Sequence, residues 1–309
     1  MEKGLVIKST GSWYTVKKED GTQLECKIKG IFRLEGTRTT NPVAVGDRVM
    51  IHSERTGGHG VINEILPRKN YIIRRSSNLS RKYQIIAANI DQALLVITRV
   101  APETPFEFID RFLASAEAYR IPVTLIINKM DLYNEGMQKE VAQWKQMYEQ
   151  IGYPCLETSV VKGKNIETFR NLLKDKINVI SGKSGVGKSS LINAVDPELQ
   201  IKTEEVSSHH KTGKHTTTFA EMHPLVFGGY VIDTPGIKGF GVIDMEREEI
   251  YHFFPEIFRL SSDCQYYNCL HINEPNCAVI KALKSGKISP SRYKSYRSLL
   301  ENQDSKYRR

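Results

Sequence analysis

The sequence predicts an α/β fold in the middle of the chain, a small β-barrel before it and a helical, metal-binding segment after it. Three observations support this prediction. Short strand-like segments fill residues 1–73, apolar runs alternate with helical patterns over residues 80–240, and a Cys/His cluster precedes a basic tail in residues 241–309. A chain of 309 residues is long enough for two or three domains. We therefore expect three domains with these boundaries.

Residues 1–73 have the pattern of a small barrel. Leu24, Cys26 and Ile28 alternate with charged residues, which is typical of a strand that buries one face. Residues 19–22 (Glu-Asp-Gly-Thr) form a hairpin signal directly before this strand. About five short strands joined by Gly-rich turns fit an OB-fold most simply, and an SH3-like barrel is the alternative.

The middle segment, residues 80–240, has the pattern of a parallel sheet covered by helices. Buried strands are expected over residues 93–100, 123–127, 177–181 and 230–232. Between them, apolar side chains recur at helical spacing, first in Ile109, Phe112, Leu113 and Ala116 and then in Val141, Trp144, Tyr148 and Ile151. This alternation predicts a doubly wound α/β domain.

A complete phosphate-binding loop follows the third of these strands. The pattern G-x-x-x-x-G-K-[ST] is formed by Gly182, Lys183, Ser184, Gly185, Val186, Gly187, Lys188 and Ser189, with Ser190 next. Glycines allow the backbone to approach phosphates closely, and N–H groups at a helix start converge on the anion. We expect Lys188 to reach the β- and γ-phosphates, where it is also a catalytic candidate, and Ser189 to hold Mg²⁺.

A guanine-recognition motif lies at the end of the second strand. The motif N-K-x-D is formed by Asn128, Lys129, Met130 and Asp131. The Asp carboxylate can accept two hydrogen bonds from the N1–H and amine of guanine, which adenine does not offer, so such a site selects GTP over ATP. Thr158 and Ser159 follow the short strand at 155–157 and fit the second loop that contacts the base.

Two further segments complete the motif set of a GTPase. Residues 233–236 (Asp-Thr-Pro-Gly) match D-x-x-G, in which Asp233 and Gly236 are expected to contact the γ-phosphate and Mg²⁺ region. The hydroxyl-rich residues 213–218 suit switch I, and Thr217 is the predicted second ligand of Mg²⁺ and a catalytic candidate.

The order of these motifs is circularly permuted. Most GTPases begin with the phosphate loop, whereas here residues 128–131 and 158–159 precede residues 182–189. Domain termini usually lie close together at the surface, so a chain can be rejoined there and opened elsewhere without disturbing the sheet. The sequence therefore predicts a circularly permuted P-loop GTPase domain whose D-x-x-G segment leads directly into the C-terminal domain.

A metal-binding pattern lies in the C-terminal segment. Cys264, Cys269, His271 and Cys277 form C-x₄-C-x-H-x₅-C, and three thiolates with one imidazole make a closed tetrahedral set for structural Zn²⁺. The alternatives are ordinary buried cysteines and a disulfide, which would leave an odd thiol in this cluster.

The distribution of charge and hydropathy indicates what kinds of partner the chain can bind. The net charge of +9 divides into +6 for residues 1–75, +7 for residues 278–309 and −4 between them. Basic ends of this kind suggest a polyanionic partner, and solvated Lys-rich faces are the alternative. No apolar run has the length of a membrane span and the first residues (MEKGLVIKST) have no signal core, so we expect a cytoplasmic protein with no membrane partner.

Together the motifs, their order, the barrel and the Cys/His set resemble the ribosome small-subunit-dependent GTPase A family. Residues 87–91 (Ala-Ala-Asn-Ile-Asp) and 215–218 (His-Thr-Thr-Thr) add to the resemblance, which covers nearly the whole chain. It implies a factor that binds the small ribosomal subunit late in maturation, contacts ribosomal RNA through the barrel, and is released after hydrolysing GTP to GDP. We expect the chain to be a monomer.

One residue departs from the common GTPase pattern and leaves alternatives open. Ile237 stands where many GTPases carry the Gln that positions the attacking water. His215 is the candidate replacement, and a switch-loop histidine with no catalytic role is the alternative. Two other functions are an RNA-binding placeholder that holds GTP as a structural ligand, and a GTPase that acts on another RNA or an RNA-modifying partner.

Overall fold

The chain forms thirteen described strands and seven described α-helices, and a computed structural model describes residues 1–28, 42–53, 58–75, 83–199, 221–233 and 245–307. The strands are β1 (Glu2–Ser9), β2 (Tyr14–Lys18), β3 (Gln23–Ile28), β4 (Arg48–Ser53), β5 (Gly60–Ile65), β6 (Tyr71–Arg75), β7 (Tyr83–Ala88), β8 (Gln92–Ile97), β9 (Val123–Ile127), β10 (Cys155–Glu157), β11 (Ile177–Ser181), β12 (Glu221–Pro224) and β13 (Tyr230–Asp233). The helices are α1 (Phe106–Ala118), α2 (Glu135–Ile151), α3 (Ile166–Leu173), α4 (Lys188–Val195), α5 (Pro255–Ser261), α6 (Ala278–Lys284) and α7 (Pro290–Tyr307). None of the helices in these ranges combines the length and the apolar character that crossing a bilayer requires.

The first five strands close into a barrel. β1 pairs antiparallel with both β2 and β4, β2 pairs with β3, and β5 joins β3 to β4. Alternate side chains point inward because successive residues of a strand face opposite sides, and they form an apolar core of Val6, Tyr14, Val16, Cys26, Val43, Val49, Ile51 and Ile62. This confirms the predicted five-stranded, OB-like barrel.

The chain divides into two compact units, which cut across the three predicted domains. One comprises Met1–Leu94, Glu167–Ser181 and Lys188–Gly241, and the other comprises Leu95–Ile166, Gly182–Gly187 and Val242–Arg309. The predicted domain boundaries therefore stay a prediction, because each compact unit is made of several separate segments and its limits do not correspond to those of the three domains.

In the first unit the barrel continues into part of the α/β sheet. β11 pairs parallel with β13, and β12 pairs antiparallel with β13. Glu221 of β12 is the register partner of Lys8 in β1, and their side chains form a salt bridge of 3.2 Å. The strands predicted at 177–181 and 230–232 are therefore confirmed, while β12 is an addition that the hydropathy pattern did not show.

In the second unit two parallel strands set the edge on which the predicted base motifs lie. Every residue of β9 is buried, and Ile127 at its end is the register partner of Glu157 at the end of β10. The two predicted amphipathic helices are confirmed as α1 and α2, and α2 begins where Asn134 accepts a hydrogen bond of 3.0 Å from the N–H of Met137.

The C-terminal segment packs around a buried ionic cluster within the second unit. Arg292 of α7 is fully buried and donates from Nη1 to Asp110 Oδ1 of α1 at 2.8 Å. Its Nε donates to Glu256 Oε1 of α5 at 2.7 Å. Buried apolar residues of the same segment form a core, among them Ile250, Phe254, Ile257, Val279, Ile288, Tyr296 and Leu300. α7 thus ties α1 to α5, the helix that precedes the Cys/His cluster along the chain.

Candidate nucleotide site and metal centre

The loops after β9 and β10 carry the predicted guanine contacts. Because their strands are parallel neighbours in register, Asn128 and Thr158 begin their loops at the same edge of the sheet. Lys129 takes a left-handed backbone with φ 63°, and a 3₁₀ turn follows at Met130–Leu132. The N–H of Met130 donates to the carbonyl of Thr158 at 3.1 Å, so the two loops are joined by their backbones.

The Asn128 side chain connects three segments of the candidate site. Its Nδ2 donates to the carbonyl of Val186 in the phosphate loop at 2.9 Å, and its Oδ1 accepts from the Thr158 hydroxyl at 3.0 Å. Only 2% of Asn128 is exposed, so these hydrogen bonds are shielded from water. Tyr133, which the sequence did not single out, donates from its hydroxyl to the Asn128 carbonyl at 2.6 Å.

Lys129 lies against the phosphate loop through its ammonium group. Its Nζ donates to the carbonyl of Gly185 at 2.6 Å and also to the carbonyl of Ala101. Lysine carries three N–H donors and no acceptor, so one ammonium group can donate to both carbonyl oxygens and hold the two backbone segments together. The motif residue therefore holds the loop that precedes α4.

Asp131 and Ser159 form the polar end of the guanine side. The Ser159 hydroxyl donates to Asp131 Oδ1 and accepts from the N–H of Lys162 at 3.1 Å. Ser159 is buried, whereas Asp131 is half-buried. An ionised carboxylate has about four lone-pair positions, so the bond from Ser159 fixes its orientation and leaves capacity for two donors of a base.

Two glycines of the phosphate loop are required by close contacts. Gly182 has φ 147°, and a Cβ there would lie 2.4 Å from the carbonyl oxygen of Val96. Gly187 has φ 94°, and a Cβ there would lie 2.5 Å from Asn128 Nδ2. An L side chain is strained at such angles and would also displace the neighbouring strand or Asn128. The loop can therefore reach the Asn128 side chain only with glycine.

The other predicted phosphate and magnesium residues are distributed as follows. Ser184 and Gly185 are exposed on the loop, Lys183 donates to the carbonyl of Glu103 at 3.2 Å, and Val186 is buried. Lys188, Ser189 and Ser190 form the start of α4 in the first unit. Asp233 ends β13, and its side chain is not described. His215, Thr217, Gly236 and Ile237 lie outside the described residues.

The four predicted metal ligands converge in the second unit. One ligand atom of each of Cys264, Cys269, His271 and Cys277 lies within 4.8 Å of all the others. The Cys264 and Cys277 Sγ atoms are 3.8 Å apart, and each is 3.5 Å from His271 Nδ1. A tetrahedral Zn²⁺ with its usual bond lengths places two sulfurs about 3.8 Å apart and a sulfur and a nitrogen about 3.5 Å apart. The donor set fits that ion.

A carboxylate inside the metal loop organises its backbone, which the sequence analysis missed. Glu274 accepts from the N–H groups of Leu270 and Ile272 at 2.8 Å each and of Asn273 at 3.0 Å. Burial raises the pKa of Glu274, but the backbone N–H groups together outweigh burial and lower it from its ordinary value. The only sequence signal was an acidic residue between the last two ligands.

Helix α7 holds the same loop from outside. Tyr293 donates from its hydroxyl to the carbonyl of His271 at 2.7 Å, and Tyr296 donates to the carbonyl of Leu270 at 2.6 Å. Both acceptors belong to the segment that carries the ligands. The Tyr-rich character of the tail, visible in the sequence, is therefore explained in part by support of the metal loop.

Cys269, His271 and Cys277 are buried and Cys264 is half-buried, which matters for the protonation of the buried ligands. Burial raises the pKa of the Cys269 thiol to about 12 and also raises the pKa of Cys277, while burial lowers the pKa of His271. All three shifts favour the neutral forms. A divalent cation supplies the positive charge that lets buried thiols lose their protons, so the cluster is suited to hold a metal.

Comparison with known proteins agrees with these arrangements. Family models described as RsgA N-terminal domain and RsgA GTPase match residues 3–62 and 65–243. A Bacteroides fragilis protein named small ribosomal subunit biogenesis GTPase RsgA is 57% identical over 307 residues, covering 99% of both chains. A Flavobacterium psychrophilum protein of the same name is 52% identical and covers 99% of this chain and 94% of its own.

Two solved structures resemble this one over almost its whole length. YjeQ from Thermotoga maritima has a TM-score of 0.82 and 36% identity, with 98% of both chains covered. YloQ, described as a circularly permuted GTPase, has a TM-score of 0.78 and 30% identity, covering 100% of this chain and 97% of its own. The predicted permuted order of the motifs is thereby confirmed.

Proposed function

The chain belongs to the RsgA GTPase family, and on that premise we propose that it hydrolyses GTP to GDP and phosphate in the biogenesis of the small ribosomal subunit. The names of its relatives support the biological role. The observation that carries the chemistry is Asn128, which joins the phosphate loop to the second base loop by hydrogen bonds of 2.9 and 3.0 Å. A nucleotide needs this connection because its base and phosphates must be held at the same time.

Guanine selection is assigned to Asp131. Its carboxylate would accept from the N1–H and amine of guanine, while Ser159 holds it in place. With adenine the same carboxylate would lose those donors, which makes binding costly in a half-buried position. Asn128, Lys129, Met130 and Thr158 would shape the same pocket.

Phosphate binding is assigned to residues 182–190. The backbone N–H groups of the loop and the start of α4 would surround the phosphates, and Lys188 would compensate their charge. Ser189 and Thr217 would hold Mg²⁺, which supplies further positive charge when it is bound. Asp233 and Gly236 would respond to the γ-phosphate. His215 is proposed to orient the attacking water, because Ile237 has no group that could do so.

The Cys/His cluster is assigned to one structural Zn²⁺. Three thiolates and one imidazole fill a tetrahedral shell, so no coordination position is left for a substrate. The backbone support from Glu274 and the contacts from α7 favour a role in holding the C-terminal fold.

The proposed partner is the small ribosomal subunit with its RNA, late in maturation. The +6 charge of residues 1–75 and the +7 charge of residues 278–309 would favour a polyanion. Such a partner places the protein in the cytoplasm, where we propose that it acts as a monomer. Binding to the subunit would stimulate hydrolysis, and hydrolysis would release the protein.

The proposal is tested by GTP turnover with and without small ribosomal subunits. We expect stimulation by subunits in the natural chain. Asp131→Asn should lose GTP turnover and gain turnover of XTP, because the Asn amide complements the C2 carbonyl of xanthine. Glu135→Gln, which removes an exposed carboxylate four residues away, is the matched control and should behave like the natural chain. Unchanged GTP turnover in Asp131→Asn would show that the base site is assigned incorrectly.

A further inference from the structure

An aromatic and basic cluster lies on the outside of the barrel. It consists of Trp13, Lys27 and His59, and we call it the Trp13 cluster. The Trp13 and His59 rings are 4.8 Å apart between centroids in an edge arrangement, and the Lys27 ammonium lies 4.4 Å from the centroid of the Trp13 ring. Trp13 is half-buried, and the other two residues are exposed.

The barrel core does not need this tryptophan. Tyr14 and Val16 of β2 are buried in the core, whereas Trp13, the residue directly before β2, is not part of that core and is only half-buried. Its ring contacts include a cation and an imidazole, and basic and aromatic groups together suit a ligand that carries both a phosphate and a base.

The position of Trp13 is fixed by its backbone. The N–H of Thr10 donates to the Trp13 carbonyl at 2.9 Å, and the N–H of Trp13 donates to the Thr10 hydroxyl oxygen at 3.3 Å. Between them Gly11 adopts φ 83°, which closes the turn. Because the backbone of this turn is already ordered, the Trp13 ring loses little conformational entropy when another ring stacks on it.

We propose that the Trp13 cluster is the place where the barrel stacks an unpaired nucleobase of its RNA partner. Aromatic side chains within a basic surface are the means by which OB-folds bind single-stranded nucleic acid. The exposed Lys27 side chain can leave the ring face when a base takes it, and its ammonium can then pair with the adjoining phosphate. The inference rests on the proposed function, because it requires RNA as the partner.

The chain provides its own probe for this proposal. It contains two tryptophans, Trp13 and Trp144. The variant Trp144→Phe therefore leaves Trp13 as the single indole, and a base stacked on it should quench its fluorescence. The titrant is a single-stranded oligouridylate carrying a fluorescein label, so that anisotropy reports total binding. Quenching should follow the binding curve given by anisotropy. A labelled, fully paired and blunt-ended RNA duplex, which has no unpaired base, should give less quenching at equal saturation.

Affinity measurements complete the test. Trp13→Ala should weaken binding of the oligouridylate by about 5- to 150-fold, the range expected for loss of one stacked base. Trp13→Phe should retain most of the affinity because the ring is kept. Circular dichroism and GTP binding establish that each variant is folded. Saturating binding with unchanged Trp13 fluorescence, or natural affinity in Trp13→Ala, would overturn the proposal.

The same variants separate this proposal from the proposed function. If small subunits fail to stimulate GTP turnover in the natural chain, the proposed function is wrong. If stimulation is present and Trp13→Ala binds oligouridylate and subunits as the natural chain does, the proposed function stands and the stacking role of the Trp13 cluster is wrong.

Discussion

Removing the buried Arg292 should destabilise the C-terminal part of the second unit more than any exposed arginine would. Arg292 is fully buried and binds Glu256 through both carboxylate oxygens, at 2.7 and 3.1 Å, as well as Asp110. The test variant is Arg292→Met, which keeps a long side chain and removes the charge. Arg297→Met is the matched control on the same helix, because Arg297 forms an exposed pair with Glu301 at 3.1 Å.

The expected magnitude follows from the burial of the partners. Breaking a buried ion pair by removing one member typically costs about 3–5 kcal/mol, whereas an exposed pair contributes about 0–1 kcal/mol. The Glu256 side chain is 10% exposed and can gain some water, but the Asp110 side chain is completely buried. We therefore expect Asp110 to account for most of the loss in Arg292→Met.

The destabilisation caused by Arg292→Met should become smaller as the pH is lowered. Burial raises the pKa of Asp110 even though Arg292 opposes it, so removing Arg292 should raise that pKa further. A carboxyl group with a raised pKa in the folded state binds protons more readily there than in the unfolded state. The loss in Arg292→Met should therefore shrink as the pH is lowered from about 8 towards 5. Adding Asp110→Asn should recover part of the loss at neutral pH.

The assay is urea unfolding followed by the fluorescence of Trp144. Trp144 packs against Phe106 in the second unit with ring centroids 4.9 Å apart, and a Trp13→Phe background makes it the single indole. The free energy of unfolding is compared among four chains in this background: the one with no further change, Arg292→Met, Arg297→Met, and Arg292→Met combined with Asp110→Asn. If Arg292→Met costs no more than Arg297→Met, the buried cluster does not contribute as its geometry indicates.

Three further predictions concern the nucleotide and metal sites. Gly187→Ala should lower nucleotide affinity at least tenfold, because the new methyl group displaces Asn128 Nδ2 and the φ of 94° costs about 1–3 kcal/mol in strain; natural affinity by isothermal titration would contradict this. Glu274→Gln should weaken retention of the metal in competition with a chelator, because an amide nitrogen would face backbone N–H donors. Cys269→Ala should release the metal altogether. A metal content equal to that of the natural chain in both variants would argue against the site. If hydrolysis releases the protein, small subunits should bind more tightly with a non-hydrolysable GTP analogue than with GDP, by about 5–150-fold, and equal affinities would exclude that switch.

Contiguous motifs could be predicted from the sequence because their chemistry depends on spacing within a few residues. The phosphate loop, N-K-x-D and the Cys/His pattern each specify a ligand type through neighbouring residues. The order of these motifs along the chain also predicted the permutation, which the comparison with a circularly permuted GTPase confirmed. The strands at 123–127 and 177–181 were placed by hydropathy, since a strand buried on both faces is a nearly continuous apolar run.

The contacts that join those motifs were decided by the tertiary structure. Asn128 and Val186 are 58 residues apart, and Arg292 and Asp110 are 182 residues apart. No local periodicity records such pairs, because they arise only when parallel strands or packed helices bring distant segments together. The contacts of Trp13 with Lys27 and His59 were hidden for the same reason. The contacts of Glu274 are local, within four residues, but they depend on how the loop folds back on its own N–H groups. The sequence by itself therefore determined which ligand-binding motifs the chain carries. The fold determined which side chains position those motifs, because hydrogen bonds and ion pairs act over a few ångströms of space, irrespective of distance along the chain.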